Sequence, residues 1–490
     1  MDNATATDIL DVLVVGAGIA GISAAWHLQS LCPGKRFAVV EARERIGGTW
    51  DLFRYPGVRS DSDMYTLGFS FRPWREPRSI AEAPAILRYL RDTVREGGLD
   101  RHMRFGLRMQ HAAWSSADAC WTVTFNSSTD AAAPPVTLRA RFVHLCCGYF
   151  RYDHGYTPAF PGQADFRGRI VHPQAWPDDL EVRGRRVVVI GSGATAVTLV
   201  PALAASGAQV TMLQRTPSYL VSLPARDAVA AAVQRVLPAR AAGTLIRWKN
   251  ALMALLVFHL CRRRPGRARA FLLRQVARQL PAGYDAATHF TPPYNPWEQR
   301  LCLVPDGDFF AAIRSGRARV VTRNIDRFEP DGVRLAGGEL LAADVIVTAT
   351  GLELQLMGGA GASVDGRAVD VPALVPYKGV MYSGVPNFAA TFGYTAASWT
   401  LKADLTSRYV CRLLNHMDAT GAKVATPVLA DASLAREPLV DFSSGYFQRH
   451  LASLPRQGRE KPWRFNQNYL ADWLTLKHGA IADGVLRFSG

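Results

Sequence analysis

Cysteine, lysine and long apolar runs are scarce in this sequence, and each shortage removes a class of protein. The seven cysteines, Cys32, Cys120, Cys146, Cys147, Cys261, Cys302 and Cys411, are odd in number, scattered, and show neither CxxC nor metal-ligand spacing. No disulfide framework and no metal site are expected, only buried thiols. Polar residues interrupt every apolar run before the roughly 20 residues that a membrane span needs, and Met1 to Asp11 carries no basic-then-apolar signal. A soluble, cytoplasmic chain is the expectation. Lysine accounts for only seven of the 57 basic residues.

The formal charge of +16 is unevenly placed. Between Arg226 and Leu280 twelve Arg or Lys face one acid, Asp227, so this stretch carries +11 and the remainder is nearly balanced. A general nucleic-acid surface is therefore not expected. With 490 residues, 48% of them hydrophobic, the chain can bury two or three cores.

Residues Asp8 to Val15 form a short apolar run ending in glycines. A helical pattern (Ile19, Ile22, Ala25, Trp26) and a second strand, Phe37 to Val40, follow. The same βαβ grammar recurs at Arg186 to Ile190, Ala194 to Ala205 and Gln209 to Leu213, so two nucleotide-binding units are expected. Asp344 to Thr348 reads as a strand returning to one of these sheets, and the Pro- and Gly-rich stretch from Tyr156 to Pro177 as a linker. From Ala225 to Leu280 the pattern is helical, with breaks at Pro238 and near Pro265, and is placed as an insert in the second unit. After Tyr377 no element can be assigned in detail. The expected division is a first domain from 1–150 and 351–490, a linker at 151–180, a second domain from 181–216 and 301–350, and the insert at 217–300.

Gly16-Ala17-Gly18-Ile19-Ala20-Gly21 ends a strand and opens a helix, the arrangement that lets a backbone approach a pyrophosphate at a helix N-terminus. Glu41, at the end of the next strand, can accept hydrogen bonds from ribose hydroxyls. In the second copy, Gly191-Ser192-Gly193-Ala194-Thr195-Ala196, the next strand ends instead in Gln214-Arg215-Thr216. A guanidinium and a hydroxyl there suit the dianionic 2′-phosphate of NADPH. Gly47 to Asp61 (GGTWDLFRYPGVRSD) is too rich in glycine and polar residues for a packed element and reads as a loop that approaches a flat, polar group.

The segment FRGRIVHPQAWP, Phe166 to Pro177, matches every fixed position of FxGxxxHxxxWP. By this and by GGTWDLFRYPGVRSD, the chain resembles the class B flavoprotein monooxygenases of the Baeyer-Villiger type. RYPGVRSDSDMYTLG and FTPPYNPWEQRLC look most like the ethionamide-activating subgroup. The resemblance implies an α/β fold of two Rossmann-like dinucleotide-binding domains, one for FAD and one for NADPH, with a helical insert in the NADPH domain. By motif, FAD would be held by Gly16, Gly18, Gly21, Glu41, the loop Thr49, Trp50, Asp51 and Leu52, by Asp61 and by the backbone at Met109. NADPH would meet Arg59, Ser60, Gly191, Ser192, Gly193, Ala194, Thr195, Arg215 and Thr216. The active-site arginine would be Arg300, oriented by Asp61. Many relatives carry a lysine just before this arginine; here the residue is Gln299, which shifts NADPH selection onto Arg215.

The implied reaction inserts one atom of O2 beside the carbonyl of a ketone, giving an ester or lactone, with thioether oxidation as a second activity. A flavin-containing S- or N-oxygenase without that activity is the nearest alternative. A disulfide reductase needs a thiol pair beside the flavin, which adjacent Cys146 and Cys147 do not provide. The basic insert leaves open a flavin-bearing membrane-surface protein, or peripheral membrane contact through residues 245–280.

Overall fold

In a computed structural model describing residues 9–431 and 433–490, two largely parallel sheets carry the chain. The expected strand start at Asp8, and the leader-free reading of residues 1–8, lie outside the described residues. Leu10–Val15 is a strand whose Val12, Leu13 and Val14 are completely buried. It reads as a continuous apolar run because both of its faces are covered. It pairs in parallel with Phe37–Val40 and with Val136–Leu145. An antiparallel meander of Leu107–Ser115, Cys120–Ser127 and Val136–Leu145 widens the sheet.

The late part of the chain returns to this sheet. Gly361–Val364 and Phe388–Ala390 add strands to it, and the helix Trp399–Thr420 packs against the first helix, Ile19–Leu31. These late strands are three or four residues long. Phe388–Ala390 is too short to show a period, and in the 22-residue helix that follows the buried Thr400, Lys402, Asp404 and Thr406 interrupt the apolar stripe, which is why the pattern after Tyr377 gave no assignable element.

The second sheet runs Ala318–Thr322, Gln209–Gln214, Arg186–Ile190, Val345–Thr348, Arg169–Val171, all parallel. The expected returning strand thus lies inside it, between Arg186–Ile190 and the edge strand Arg169–Val171. The segment read as a linker is more than that, because Arg169, Ile170 and Val171 pair with Val345, Ile346 and Val347 as an edge strand. Inside the same segment, His172 Nδ1 accepts the N–H of Gln174 at 3.1 Å, which leaves Nε2–H to donate to the carbonyl of Gly351 at 3.1 Å. Burial lowers the pKa of His172 and keeps it neutral, as this pattern requires. The fingerprint histidine therefore fastens the crossover to the start of the returning chain.

The insert is helical, as its pattern suggests: Ala228–Val236, Ala239–Arg263 and Pro265–Ala277, broken at Pro238 and Pro265. The parallel strands Leu220–Leu223 and Cys302–Pro305 bring its two ends together. Arg247 locks its long helix to the first domain. The guanidinium donates to the carbonyls of Thr66 at 3.2 Å and Gly68 at 2.6 Å and pairs with Asp404 at 3.0 Å. Asp404 also accepts from Ser23 and from the N–H of Ser70. Burial alone would raise the Asp404 pKa, yet the neighbouring His27 and the Arg247 charge hold it far below the usual carboxylate range.

Candidate active site

Both glycine-rich turns open onto one cleft of about 1110 Å³ between the two sheets. Gly16 has φ of +105°, a region that a side chain disfavours, and a Cβ on Gly21 would lie 1.7 Å from the Gly16 carbonyl oxygen. These two glycines let helix and strand close up. Gly193 differs, since a Cβ there would meet nothing within 4 Å. Its missing side chain leaves the backbone open to the cleft, as approach by a pyrophosphate requires. The Ser192 hydroxyl donates to the Thr216 carbonyl at 2.7 Å, tying this turn to the end of the next strand.

Gly16, Gly18, Glu41, Thr49, Trp50, Arg59, Ser60, Asp61 and Met109 line the cleft, as do Gly191, Ser192, Gly193, Ala194, Thr195, Arg215, Thr216 and Arg300. Gly21 lies behind them in the helix contact. Asp51 and Leu52 do not reach the cleft wall; Asp51 pairs instead with Arg43 at 2.8 Å and Arg45 at 3.5 Å. Glu41 is 6% exposed, and its oxygens accept the N–H groups of Ala17 at 2.7 Å and Arg43 at 2.9 Å. Burial raises its pKa against these donors.

Arg300 and Asp61, 239 positions apart in sequence, meet in the lining of the cleft. Nε lies 3.0 Å from Oδ2 and Nη2 3.2 Å from Oδ1, a two-point pair. Burial works against the charge on Arg300, but the Asp61 carboxylate raises its pKa, so it stays protonated. The two phenols and the thiol near it are neutral. Burial pushes Tyr149 well above its ordinary value, raises Tyr446, and lifts the Cys302 thiol to about 12. Arg59 is engaged by Asp308 of the second domain, and Ser60 Oγ accepts the N–H of Ala81 at 3.2 Å. The turn before Arg300 is strained, with Trp297 at φ +68°.

Some cleft residues escaped the sequence reading. Arg323 and Asn324 share the wall with Arg215. The Arg323 N–H donates to the Gln214 carbonyl at 3.0 Å, so the two arginines follow the paired ends of adjacent strands. A signal was present, since Arg323 follows an apolar strand just as Arg215 does. Tyr149 and Tyr446 had no local signal.

This geometry defines a two-nucleotide oxidoreductase cleft with an arginine–aspartate pair in its lining. A model of the NAD(P)-binding Rossmann-like domain matches residues 14–76, and one described as flavin-binding monooxygenase-like matches residues 73–246. The chain is 54% identical over 484 residues to the FAD-containing monooxygenase EthA of Mycobacterium tuberculosis, covering 99% of this chain and 98% of that protein. The structure of an oxidized steroid monooxygenase bound to NADP superposes with a TM-score of 0.71 at 25% identity, over 86% of this chain and 88% of the other. An open crystal structure of cyclohexanone monooxygenase gives 0.75 at 21% identity over 99% and 100%, a likeness of fold. The chain belongs to the FAD-containing flavoprotein monooxygenases, and it is an enzyme.

Proposed function

We propose that this enzyme inserts one oxygen atom from O2 beside the carbonyl of a ketone to give an ester or lactone, and that it also oxidises thioethers. The Arg300–Asp61 pair, which lines the same cleft as both glycine-rich turns, supports this reading. Its cofactors are FAD and NADPH; when bound, they supply the hydride and the activation of oxygen. The cradle of Gly16, Gly18 and Glu41, with Thr49, Trp50 and the Met109 backbone, fits FAD. The open backbone at Gly193 with Arg215 and Thr216 fits NADPH, and Arg323 adds a second guanidinium in a chain that has Gln299 beside its arginine.

Negative charge grows on oxygen as it is transferred to a carbonyl carbon. Arg300 stabilises that charge as a permanent cation and delivers no proton early, because its own proton is held by the Asp61 pair. Asp61 fixes the guanidinium plane. Tyr149, Tyr446 and Cys302 remain neutral beside this pair. The enzyme works in the cytoplasm, with peripheral membrane contact through residues 245–280.

The deciding experiment is a mass-spectrometric product screen in labelled oxygen over ketones and thioethers. Labelled esters from ketones are the expected products. Sulfoxides with no ester from any ketone would leave the S-oxygenase alternative standing and remove the Baeyer-Villiger assignment.

A further inference from the structure

Among the described residues, the long insert helix Ala239–Arg263 is the one helix long and apolar enough to cross a membrane by length and composition, yet it is plainly two-faced. On one side Ile246, Arg247, Ala251 and Cys261 are buried in the protein. On the other, Leu245, Leu252, Met253, Leu256 and Leu260 are 45–54% exposed, and Phe271 of the next helix is 53% exposed. Their spacing of four and seven residues puts them on one stripe. A spanning arrangement would tear Arg247 from Asp404 and from the carbonyls it serves.

Beside this stripe Arg263, Arg264, Arg267 and Arg274 are exposed and have no carboxylate partner among the described residues. Two copies of the face would set these unpaired arginines against one another, which disfavours self-association. The helix also backs the catalytic end of the cleft. Ala251 packs with Tyr394, a cleft residue, and the ring of Phe258 meets Trp297, three positions before Arg300, at 5.7 Å.

We propose that this helix lies in the plane of an anionic lipid bilayer, its leucine stripe among the acyl chains and its arginines on the headgroups. Given the oxygenase reading above, the docked enzyme draws apolar ketones or thioethers dissolved in that bilayer.

The test is co-sedimentation of the holoenzyme with vesicles of phosphatidylglycerol and phosphatidylcholine in equal parts, against phosphatidylcholine alone. Binding to the anionic vesicles is expected at low salt and should weaken at about 0.5 M salt. Leu256→Glu/Leu260→Glu and Arg263→Glu/Arg264→Glu should each lower the partition roughly tenfold or more. Both should keep bound FAD and full turnover of a water-soluble ketone without vesicles. The leucine variant should lose turnover only of a long-chain ketone presented in vesicles. No binding to anionic vesicles at low salt, equal binding by the variants, or equal binding to phosphatidylcholine overturns the docking. So does wild-type dimerisation that the leucine variant abolishes. Docking without turnover of any ketone or thioether would instead sink the substrate reading and leave the membrane contact in place.

Discussion

Replacing Arg300 with alanine separates the two halves of the proposed chemistry, because reduction of the flavin needs hydride geometry whereas oxygen transfer needs the cation. The folding cost is small. The Arg300 and Asp61 side chains are 31% and 40% exposed, so water can take over the carboxylate and the pair is worth about 0–1 kcal/mol to stability. The catalytic cost is larger, since loss of a group that stabilises developing negative charge on oxygen is worth about 2.7–4 kcal/mol, or roughly 100- to 1000-fold in turnover. Arg300→Ala should therefore keep its FAD absorbance and its melting temperature within a few degrees. It should be reduced by NADPH anaerobically at close to the original rate, and then release hydrogen peroxide in place of ester. Arg300→Lys, which keeps the charge but not the fork, should fall between the two. Asp61→Ala should weaken ester formation through the same pair. Near-normal ester yield from Arg300→Ala would refute the assignment, and an equal loss of flavin reduction would show that Arg300 serves the nucleotide rather than the transferred oxygen.

NADPH should be preferred over NADH by at least roughly tenfold, about 1.4 kcal/mol; Arg215→Ala should erase most of this and Arg323→Ala part of it, read as the kcat/KM ratio and as calorimetric binding of 2′,5′-ADP. Unchanged 2′,5′-ADP affinity in both variants would remove these arginines from phosphate recognition. Arg247→Met strands the buried Asp404 and should cost about 3–5 kcal/mol in denaturant unfolding; an unchanged midpoint would show that the insert is held elsewhere. His144 is buried against Thr391, and burial pushes its pKa down to about 4. Its unfolded form takes up a proton below about pH 6.5 that the folded form refuses, so stability falls as pH drops from about 6.5 to 4, by about 3 kcal/mol from this group. His144→Asn should flatten that part of the unfolding pH profile, and an identical slope in the variant would rule the group out.

Short windows of sequence determined a good deal here. A glycine turn between strand and helix is a local steric requirement, so Gly16 to Gly21 and Gly191 to Thr195 announced both nucleotide units. The prolines at 238 and 265 marked where the insert breaks, because a missing N–H interrupts a helix wherever it falls. Arg215 was legible for the same reason, standing at the end of a strand whose place in the unit is fixed. The tertiary structure alone decided the rest. Arg300 reaches Asp61 only because the strands Leu220–Leu223 and Cys302–Pro305 pair and return the insert to the cleft. Arg323 stands beside Arg215 only through the pairing of Thr322 with Gln214. Asp51, which shares a motif with cleft residues, turned to Arg43 and Arg45, since a buried carboxylate takes the nearest cations. In sequence the leucines of the long helix fit either a packed helix or a membrane-surface one, and which of them are covered depends on which face Arg247 anchors. Local geometry is set by neighbours in the chain, whereas pairing across hundreds of residues is set by packing that no short window contains.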